Sequence, residues 1–536
     1  RDRGVFLLEG FPSYMTAAHD DEDMTHIINA IKDSASEMRA DGLIDGRADS
    51  RDYDPQITAV PPRLSLPGGE ARIAQDMAAP LAPLACPTLE AQREIFAAQV
   101  VTPEVAAAYN ESVTLKIRGA VSTDALLEAI QACYARHDAL RATFSEDGLT
   151  MFIQPEMHHK IGQMDLSTLG QQDRRQKLQE LLDKHVSEPF NMQNGPFLRT
   201  DLVDMGEEDG HALHHLVVTA HHIICDGWSI DVIMRDIARL YRMIIDGKPA
   251  ILDAPHSIID YARHEQDWAQ SESAQRDKAY WLQRFETQVP VLDLPLDHPR
   301  PAIRSVRGAR LDAALDAELV AGLRKTAERQ NSSFVNLLLA AFKTYVARIS
   351  GNQDLVVGVP SAGQAANGME SMVGHCVNLM PIRTQPAGDK SFGDYLKEVK
   401  TALLDGADHQ NFTYGALTRA LKQKRDPSRP GLISVVFNVD NGIDLSALAV
   451  GSPADTFTSN PRAFENFELY LNVTEIDGGV TTEWSYNRDL FDAETIARHI
   501  TGFSELLASI VDRPGAPLGQ LMQVQGDPTA PQQSPQ

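Results

Sequence analysis

The order of hydrophobic and polar positions predicts a mixed α and β fold between residues 88 and 511. Apolar residues recur at helical spacing in four segments, which predict helices at Thr123–Arg136, Ser229–Ile245, Ser333–Arg348 and Ala493–Ile510. Alternating or uniformly apolar runs predict strands at Val113–Ile117, Leu213–Ala220, Asp354–Val359, Ile433–Val439 and Phe467–Val473. Strands and helices interleave without a fixed repeat, so the expected fold class is α/β.

The two ends of the chain differ from this central part. Residues 1–45 contain a strand-like run, Val5–Leu8, followed by a helix-like pattern from Met24 to Ile31. A unit this short cannot easily hold a core of its own, so we expect it to need a partner and the chain to be a piece of a longer protein. Residues 46–87 and 512–536 are rich in Pro, Gly, Ala or Gln without apolar periodicity, which predicts two linkers.

Composition and charge exclude several classes of protein. The 49 Lys and Arg residues against 74 Asp and Glu residues give a net charge of −25, which repels a nucleic-acid backbone. No apolar run approaches the ~20 residues that span a bilayer, so neither nucleic acid nor membrane is an expected partner. The four cysteines are far apart and form no CxxC pair, which indicates neither disulfides nor a thiolate metal site. A reducing cytoplasm is the expected compartment.

The most informative stretch is His214–Ile245, where a β-branched strand leads into the sequence His-His-Ile-Ile-Cys-Asp-Gly and then into a helix. The apolar residues of this helix fall on one face, from Ile233 to Ile244. We predict Ser229 as the N-cap, because serine favours that position. Junctions of this kind, at the end of a rigid strand, commonly present side chains to a cleft.

The two adjacent histidines are expected to have different roles. Successive side chains on a strand point to opposite faces, so only one of His221 and His222 should line a cavity. The same geometry argues against a metal, because a catalytic zinc needs three converging ligands. Asp226 can orient an imidazole or form a buried ion pair, and Gly227 can permit a conformation or close approach that a Cβ would hinder. Taken alone, the motif fits a structural histidine as well as a reactive one.

The motif HHxxxDG, followed by Trp228 and Ser229, resembles the signature of the condensation domains of nonribosomal peptide synthetases, a family similar in fold to chloramphenicol acetyltransferase. Further segments that resemble family motifs occur in the family's order at Thr88–Phe96, Arg136–Phe144, Tyr280–Trp281, Leu292–Pro299, Val357–Pro360, Val373–Arg383, Val436–Asn438 and Asn487–Asp492. The chain departs from the family pattern at His409–Tyr414, which replaces HQDxPF, and at Ala142, where threonine is usual. These departures leave the subtype and the shape of the substrate tunnel open.

The resemblance implies a two-lobed α/β fold of the chloramphenicol-acetyltransferase type over residues 88–511. The lobes would occupy about 88–255 and 256–511, with the active site in a tunnel between them. It implies His222 as the catalytic residue. It implies structural roles for His221, Asp226, Gly227 and Arg383, with Arg383 as the buried ion-pair partner of Asp226. It implies that Asn438 and Ser229 bind substrate.

The reaction implied by the resemblance is attack of an aminoacyl amine on an acyl thioester, both held on carriers, to give an amide and a free thiol. The expected partners are an upstream acyl or peptidyl carrier as donor, a downstream peptidyl carrier as acceptor, and neighbouring aminotransferase and adenylation domains. No metal or cofactor is expected to bind directly, since the substrates arrive on phosphopantetheine arms. An α-amino group has a pKa of about 8, so His222 can act as a general base or only position the amine.

The N-terminal unit has a resemblance of its own. Residues Gly4–Ile31 resemble the extreme C-terminus of a class III aminotransferase of the glutamate-semialdehyde type. The Schiff-base lysine and phosphate site of that family would lie upstream, so we expect no pyridoxal phosphate in this chain. The resemblance implies an amino-bearing, polyketide-like acyl donor, as in hybrid polyketide and peptide synthetases.

Two alternative functions stay open beside condensation. An epimerization domain has the same histidine motif but acts on one tethered residue, and the opening and late motifs here look more like condensation. A non-catalytic docking module would bind acyl carriers without forming an amide, although the intact His222, Asp226 and Gly227 argue against it. Heterocyclization is disfavoured, because that subfamily replaces the two histidines with aspartates.

Overall fold

A computed structural model describes residues 82–99, 103–422, 426–441, 456–460, 462–476 and 478–523. The predicted unit at residues 1–45 lies outside the described residues. So do most of the first predicted linker and the end of the second. The assignments made for those segments therefore stay predictions.

The described residues form strands and helices in mixed order along the chain. The strands are β1 (Leu84–Pro87), β2 (Asn110–Arg118), β3 (Ala142–Phe144), β4 (Thr150–Ile153), β5 (Ile161–Asp165), β6 (Leu198–Glu208), β7 (His211–His221), β8 (Gly308–Ala314), β9 (Leu355–Ala362), β10 (Val377–Thr384), β11 (Val435–Asn441), β12 (Thr456–Ser459), β13 (Leu469–Ile476) and β14 (Gly479–Asn487). The α-helices are α1 (Glu90–Gln99), α2 (Pro103–Ala107), α3 (Thr123–Arg136), α4 (Gln171–Ser187), α5 (Gly227–Ile245), α6 (Ile258–Ala269), α7 (Glu272–Arg284), α8 (Ala317–Arg329), α9 (Phe334–Ser350), α10 (Gly363–Ala366), α11 (Phe392–Asp408), α12 (Tyr414–Leu421), α13 (Ala493–Asp512) and α14 (Leu518–Met522).

The first lobe is built on a five-stranded sheet in the order β12-β2-β7-β6-β5. Neighbouring strands are antiparallel except for β5 and β6, which are parallel. Strand β2 illustrates why the sheet forms, because Val113, Leu115 and Ile117 recur at every second position and are all buried. They belong to the same core as the apolar faces of α3 and α5. A small sheet in the order β1-β4-β3 adds to this lobe.

The second lobe is built on a six-stranded sheet in the order β10-β9-β11-β13-β14-β8. Strand β11 is parallel to both β9 and β13, and the other pairs are antiparallel. Helix α9 is buried along Leu337–Ala347, which explains its nearly continuous apolar sequence. The one charged residue of that stretch, Lys343, donates from Nζ to the carbonyl of Ile382 at 2.7 Å. Burial lowers the pKa of Lys343 to about 7.

Segments of the second half of the chain complete the first lobe. Strand β12 follows β11 in sequence but pairs with β2, so that Ser459 lies opposite Val113. Met372, Val373 and Cys376 are buried in the core of the first lobe. The two lobes are therefore joined by a shared sheet as well as by shared apolar packing.

The four helices and five strands predicted between residues 88 and 511 are confirmed, with bounds that agree within three residues. Helix α3 agrees with its prediction at both ends. Both predicted linkers differ where they are described. Strand β1 lies at the end of the first and pairs with β4, and α14 lies within the second and buries Leu518 and Leu521 in the core of the second lobe. Two leucines alone are too weak a periodic signal to predict this helix. Helix α6, which follows the predicted lobe division at residues 255 and 256, contributes Ile258 and Tyr261 to the first core.

Candidate functional site

The candidate site lies where strand β7 ends and helix α5 begins. The last residue of β7, His221, pairs with Asn110 at the start of β2. The chain then turns and enters α5 at Gly227. In this turn the backbone N–H of His222 donates to the carbonyl of Tyr109 at 2.7 Å. The start of β2 therefore holds the turn in place.

His221 is fully buried among aromatic side chains, and its ring centroid lies 5.8 Å from that of Phe190. Its Nδ1 accepts the backbone N–H of Ile223 at 3.1 Å, and its Nε2 lies 3.0 Å from the side-chain amide of Gln99. Burial and then the neighbouring ring of His222 lower the pKa of His221 to about 3. A ring held neutral in this way fits a structural role.

His222 has a different environment, and both of its ring nitrogens have partners. Nδ1 donates to the backbone carbonyl of Cys225 at 3.0 Å, and Nε2 lies 2.7 Å from Oε1 of Glu111. The side chain keeps 18% of its exposure. Burial lowers the pKa of His222, while its hydrogen bond to Cys225 acts in the opposite sense. The ring is thus oriented through Nδ1, and Nε2 is the nitrogen available for chemistry.

The contact between Nε2 of His222 and Glu111 requires a proton. Because Nδ1 donates to a carbonyl, a neutral imidazole has only a lone pair at Nε2. A lone pair and a carboxylate oxygen at 2.7 Å repel each other, so the pair is either imidazolium with carboxylate or imidazole with carboxylic acid. In both forms, Glu111 and His222 share one proton.

Glu111 has a second charged partner. Its Oε1 also accepts from the guanidinium of Arg462, a residue that follows β12. The guanidinium carbon of Arg462 lies 5.9 Å from the ring centroid of Tyr470 on β13. The ion pair between Glu111 and Arg462 therefore connects the first sheet to a segment of the second lobe.

A further histidine, His375, lies beside His222 with a ring-centroid distance of 5.5 Å and an interplanar angle of 69°. Burial, and then the neighbouring ring of His222, lower the pKa of His375 well below its ordinary value. His375 forms part of the wall of a cavity between the lobes. Other residues of this wall are Tyr261 and Glu265 from α6, Ser361 from β9 and Asn378 from β10. The cavity thus reaches the residue next to His222.

Asp226 is fully buried and joins the two lobes through four neutral donors. Its Oδ1 accepts the backbone N–H and the hydroxyl of Ser229 at 2.8 and 2.7 Å. Its Oδ2 accepts the side-chain amide of Gln364 at 2.7 Å and the backbone N–H of Cys376 at 3.1 Å. Asp226 is also the N-cap of α5. The predicted cap at Ser229 is therefore wrong, because Ser229 already lies in the first turn.

The predicted ion pair between Asp226 and Arg383 is also wrong. The guanidinium of Arg383 donates to the two carboxylate oxygens of Asp354 at 2.9 and 2.6 Å. It donates as well to the backbone carbonyl of Arg284, the last residue of α7, at 3.0 Å. Arg383 therefore fastens α7 and the start of β9 within the second lobe, away from the histidine motif.

The two predicted substrate-binding residues lie in different settings. Ser229 is fully buried, and its hydroxyl contacts Asp226, lies 2.9 Å from the carbonyl of Gly374 and accepts the N–H of Gly374 at 3.0 Å. The structure corrects its role to a structural one, because its hydrogen-bonding capacity is already used. Asn438 on β11 is half-buried and donates from its side-chain amide to Asn472 at 3.0 Å. Its contact with substrate stays a prediction.

Gly227 does not need to be glycine for its backbone conformation. Its φ is not positive, and a Cβ added to it would meet no atom of the chain within 4 Å. The prediction that a Cβ would hinder the chain here is therefore wrong. The next residue, Trp228, donates from Nε1 to the carbonyl of Glu370 at 2.9 Å and so ties α5 to the second lobe.

Four residues of the site have no role predicted from the sequence, namely Glu111, Gln364, His375 and Arg462. A signal for Glu111 exists in the alternation of β2. The residue shares a strand face with Val113, Leu115 and Ile117 and lies at the end of their buried apolar row, so its carboxylate requires a partner. The other three come from distant segments that only the fold brings to the motif.

Other chemical features of the site follow from burial. All four cysteines are buried and free, and burial raises the pKa of the Cys225 thiol well above its ordinary value. Among the described residues, no group of three His, Cys, Asp or Glu side chains is arranged to hold a metal ion. No helix in that part of the chain is long and apolar enough to cross a membrane.

The sequence matches known proteins over most of its length. A family model described as condensation domain matches residues 85–529. Bacitracin synthase 3 of Bacillus licheniformis is 30% identical over 415 residues, which are 77% of this chain and 6% of that protein. Surfactin synthase subunit 1 of Bacillus subtilis is 31% identical over 442 residues, which are 81% of this chain and 12% of that protein. The chain thus spans only a small part of the length of these relatives.

Solved structures match the fold. The first condensation domain of the calcium-dependent antibiotic synthetase has a TM-score of 0.71 at 21% identity, covering 82% of this chain and 98% of that one. The condensation domain of the Monacolin K polyketide synthase has a TM-score of 0.72 at 18% identity, covering 82% of this chain and 100% of that one. These likenesses confirm the predicted α/β fold class.

Proposed function

Because this chain belongs to the condensation-domain family of nonribosomal peptide synthetases, we propose that it joins an acyl group to an aminoacyl group as an amide-forming acyltransferase. The donor is an acyl thioester on an upstream acyl or peptidyl carrier, and the acceptor is an aminoacyl group on a downstream peptidyl carrier. The observation that carries this proposal is His222, whose Nδ1 is fixed on the Cys225 carbonyl while Nε2 shares a proton with Glu111 and the ring lies against His375 of the cavity wall.

The chemistry needs little more than orientation and one proton acceptor. The acceptor nitrogen attacks the thioester carbonyl carbon, a C–N bond forms and the carbonyl electrons move to oxygen. The C–S bond then breaks, and the sulfur leaves with its electron pair and takes a proton to become a free thiol. His222 holds the transferred proton at Nε2, or orients the amine by a hydrogen bond there.

The surrounding residues supply a fixed frame for this step. The Asp226 network joins the start of α5 to the second lobe and so holds the turn that carries His222 against the cavity wall. The substrates arrive on phosphopantetheine arms, so the domain itself binds no resident cofactor in this proposal. Asn438, half-buried on β11, is the residue we assign to contact with a bound substrate.

The N-terminal segment supports a proposal about the donor. Residues Gly4–Ile31 resemble the end of a class III aminotransferase, which places an aminotransferase domain directly before this one in our proposal. Such a domain would convert a keto group of a polyketide-like acyl chain into an amine. The donor thioester would then carry an amino-bearing acyl group, as in a hybrid polyketide and peptide synthetase with an adenylation domain downstream.

The test is amide formation followed by intact-protein mass spectrometry with loaded donor and acceptor carriers. We expect product with the wild type and a loss of about 10²- to 10⁴-fold in His222→Ala if His222 transfers the proton. A loss nearer tenfold, the effect of one hydrogen bond, indicates that His222 only positions the amine. His211→Ala is the matched control, because His211 is an exposed histidine of the same strand.

Two results would overturn parts of this proposal. Absence of product across a broad panel of loaded carriers, with carrier binding intact, would favour a docking module. Full activity in a correctly folded His222→Ala protein would keep condensation and remove the assignment of His222.

A further inference from the structure

Glu111 is a carboxylate near the start of β2, two residues before the predicted strand Val113–Ile117 begins. It occupies the face of β2 that otherwise carries Val113, Leu115 and Ile117, all buried in the first core. Its side chain keeps 16% of its exposure. A charged residue in so enclosed a position requires a compensating partner or a ligand.

The partners of Glu111 are both able to carry positive charge. Its Oε1 lies 2.7 Å from Nε2 of His222 and also accepts from the guanidinium of Arg462. Since Nδ1 of His222 is occupied by the Cys225 carbonyl, Nε2 is the position to which an acceptor amine must come. Any amine that reaches Nε2 therefore arrives within reach of the Glu111 carboxylate.

The acceptor reaches this position mainly as a cation. With a pKa of about 8, an α-amino group is about nine-tenths ammonium at pH 7. A half-buried carboxylate binds an ammonium through a charge-assisted hydrogen bond, and the low exposure strengthens that bond. A carboxylate already held by two side chains that can carry positive charge is suited to accept an ammonium as well.

We propose that Glu111 is a substrate-binding residue that recognises the ammonium group of the aminoacyl acceptor and delivers it to Nε2 of His222. In the absence of acceptor, Arg462 and His222 hold the carboxylate in place. This inference rests on the proposed condensation function and identifies the residue that distinguishes an amine from an uncharged nucleophile.

The protons balance over one turnover. Binding of the ammonium displaces to solvent the proton that Glu111 and His222 share, leaving a carboxylate and a neutral imidazole. One proton of the ammonium passes to Nε2 of His222, which frees the nitrogen lone pair for the C–N bond. A second N–H proton passes to Glu111 as the amide forms, and the imidazolium protonates the departing sulfur. The resting pair is restored, and each amide releases one proton.

Other titratable or charged groups surround this pair and contribute to its pH dependence. On the side of His222 they are His221, Asp226 and His375, and around Arg462 they are Glu465 and Tyr470. The hydrogen bonds that Asp226 accepts in the described structure come from Ser229, Gln364 and Cys376. These neighbours are the same in the wild type and in a Glu111 variant. A change in pH dependence on substitution of Glu111 can therefore be attributed to Glu111.

The experiment compares ligands that differ only in charge at the nucleophile. The probes are aminoacyl amides of aminopantetheine with small, aromatic and acidic side chains, each beside its α-hydroxy counterpart, and binding to the full chain is measured by calorimetry. At pH 7 we expect the wild type to bind at least one amine about tenfold or more tightly than its hydroxy counterpart. That preference should vanish in Glu111→Gln and should decline in the wild type between pH 7 and 9.5, as the ammonium deprotonates.

Glu208→Gln is the matched control, because Glu208 is a carboxylate of the same sheet that pairs with Lys116 and Arg118 at the surface. It should keep the preference for the amine. A wild type without this preference, or a correctly folded Glu111→Gln protein that retains it, would overturn the inference. Binding needs no turnover, so this outcome is distinct from a failure of condensation, which the mass-spectrometric test of the wild type detects.

Discussion

Two carboxylates lie at the turn that carries His222, and they differ in what surrounds them. Asp226 is fully buried, and its four donors are two backbone N–H groups, a hydroxyl and an amide. Glu111 keeps 16% exposure and contacts an imidazole and a guanidinium. The first set of contacts is neutral and directional, whereas the second consists of charged or chargeable groups.

This difference distinguishes a carboxylate that supports the structure from a carboxylate that can take part in the reaction. Neutral donors placed by backbone segments of two lobes fix one geometry, because each lost contact would leave a buried donor without a partner. Charged side chains at a partly open position can exchange one partner for another at little cost. The turn between β7 and α5 therefore has a rigid anchor at Asp226 and an adaptable group at Glu111.

The largest effect that this comparison predicts is on stability. Asp226→Asn should lower the free energy of unfolding by about 3 kcal/mol. The side-chain amide of asparagine would place its own N–H groups against the donors that Asp226 accepts and would leave buried groups unsatisfied. The matched change Glu111→Gln should alter it by less than about 1 kcal/mol, since the site is partly exposed. Urea denaturation of both variants measures the difference.

Similar destabilisation in the two variants would contradict the distinction between them. An Asp226→Asn protein that unfolds at the same urea concentration as the wild type would show that the network contributes orientation without stability. Spectroscopic checks of secondary structure before denaturation separate these outcomes from a failure to fold.

The two adjacent histidines, His221 and His222, also differ in having a structural and a reactive environment. The pH dependence of the free energy of unfolding can reveal this difference. Burial lowers the pKa of His221 to about 3 from an ordinary value of 6.5. Between these values the unfolded chain binds a proton that the folded chain does not, so the free energy of unfolding rises with pH there. The stabilisation is fully present above pH 6.5 and is lost as the pH falls toward 3, at up to about 1.4 kcal/mol per pH unit.

The measurement is urea denaturation of the wild type and His221→Gln at pH values from 4 to 7. The difference between their free energies of unfolding isolates His221, because other buried groups act equally in both proteins. One of these is Glu94, whose pKa is raised by burial to about 7 and whose contribution has the opposite sign. His211→Gln, on the exposed part of β7, should run parallel to the wild type, and a parallel course for His221→Gln would refute the prediction.

The sequence predicts the elements of the fold and part of the site, and the limits are physical. Periodicity predicts α3 and β7 because their burial follows directly from local spacing. Strand alternation also predicts different environments for the rings of His221 and His222, which the contacts confirm. The partner of Asp226 could not be obtained in this way, because Gln364 reaches it from a distant helix that only the assembled lobes bring near.

Glu111 shows what a closer use of the same pattern can provide. It lies 111 positions before His222, so no local motif relates the two. Its place on the buried face of β2, however, is visible in the alternation with Val113. A charged residue at the end of a buried row is a sequence signal for a partner, although the identity of that partner needs the fold.

The smallest expected effect concerns Gly227, the residue next to the rigid anchor. A Cβ at this position meets no neighbouring atom, and the backbone φ is not positive. Gly227→Ala should therefore leave the free energy of unfolding unchanged or raise it by up to about 1 kcal/mol, since alanine restricts the unfolded chain and favours the first turn of α5. A loss of about 2 kcal/mol or more on urea denaturation would mean that close approach matters here after all. An unchanged free energy of unfolding in Gly227→Ala, together with a large decrease in Asp226→Asn, would assign the rigidity of the turn to the aspartate alone.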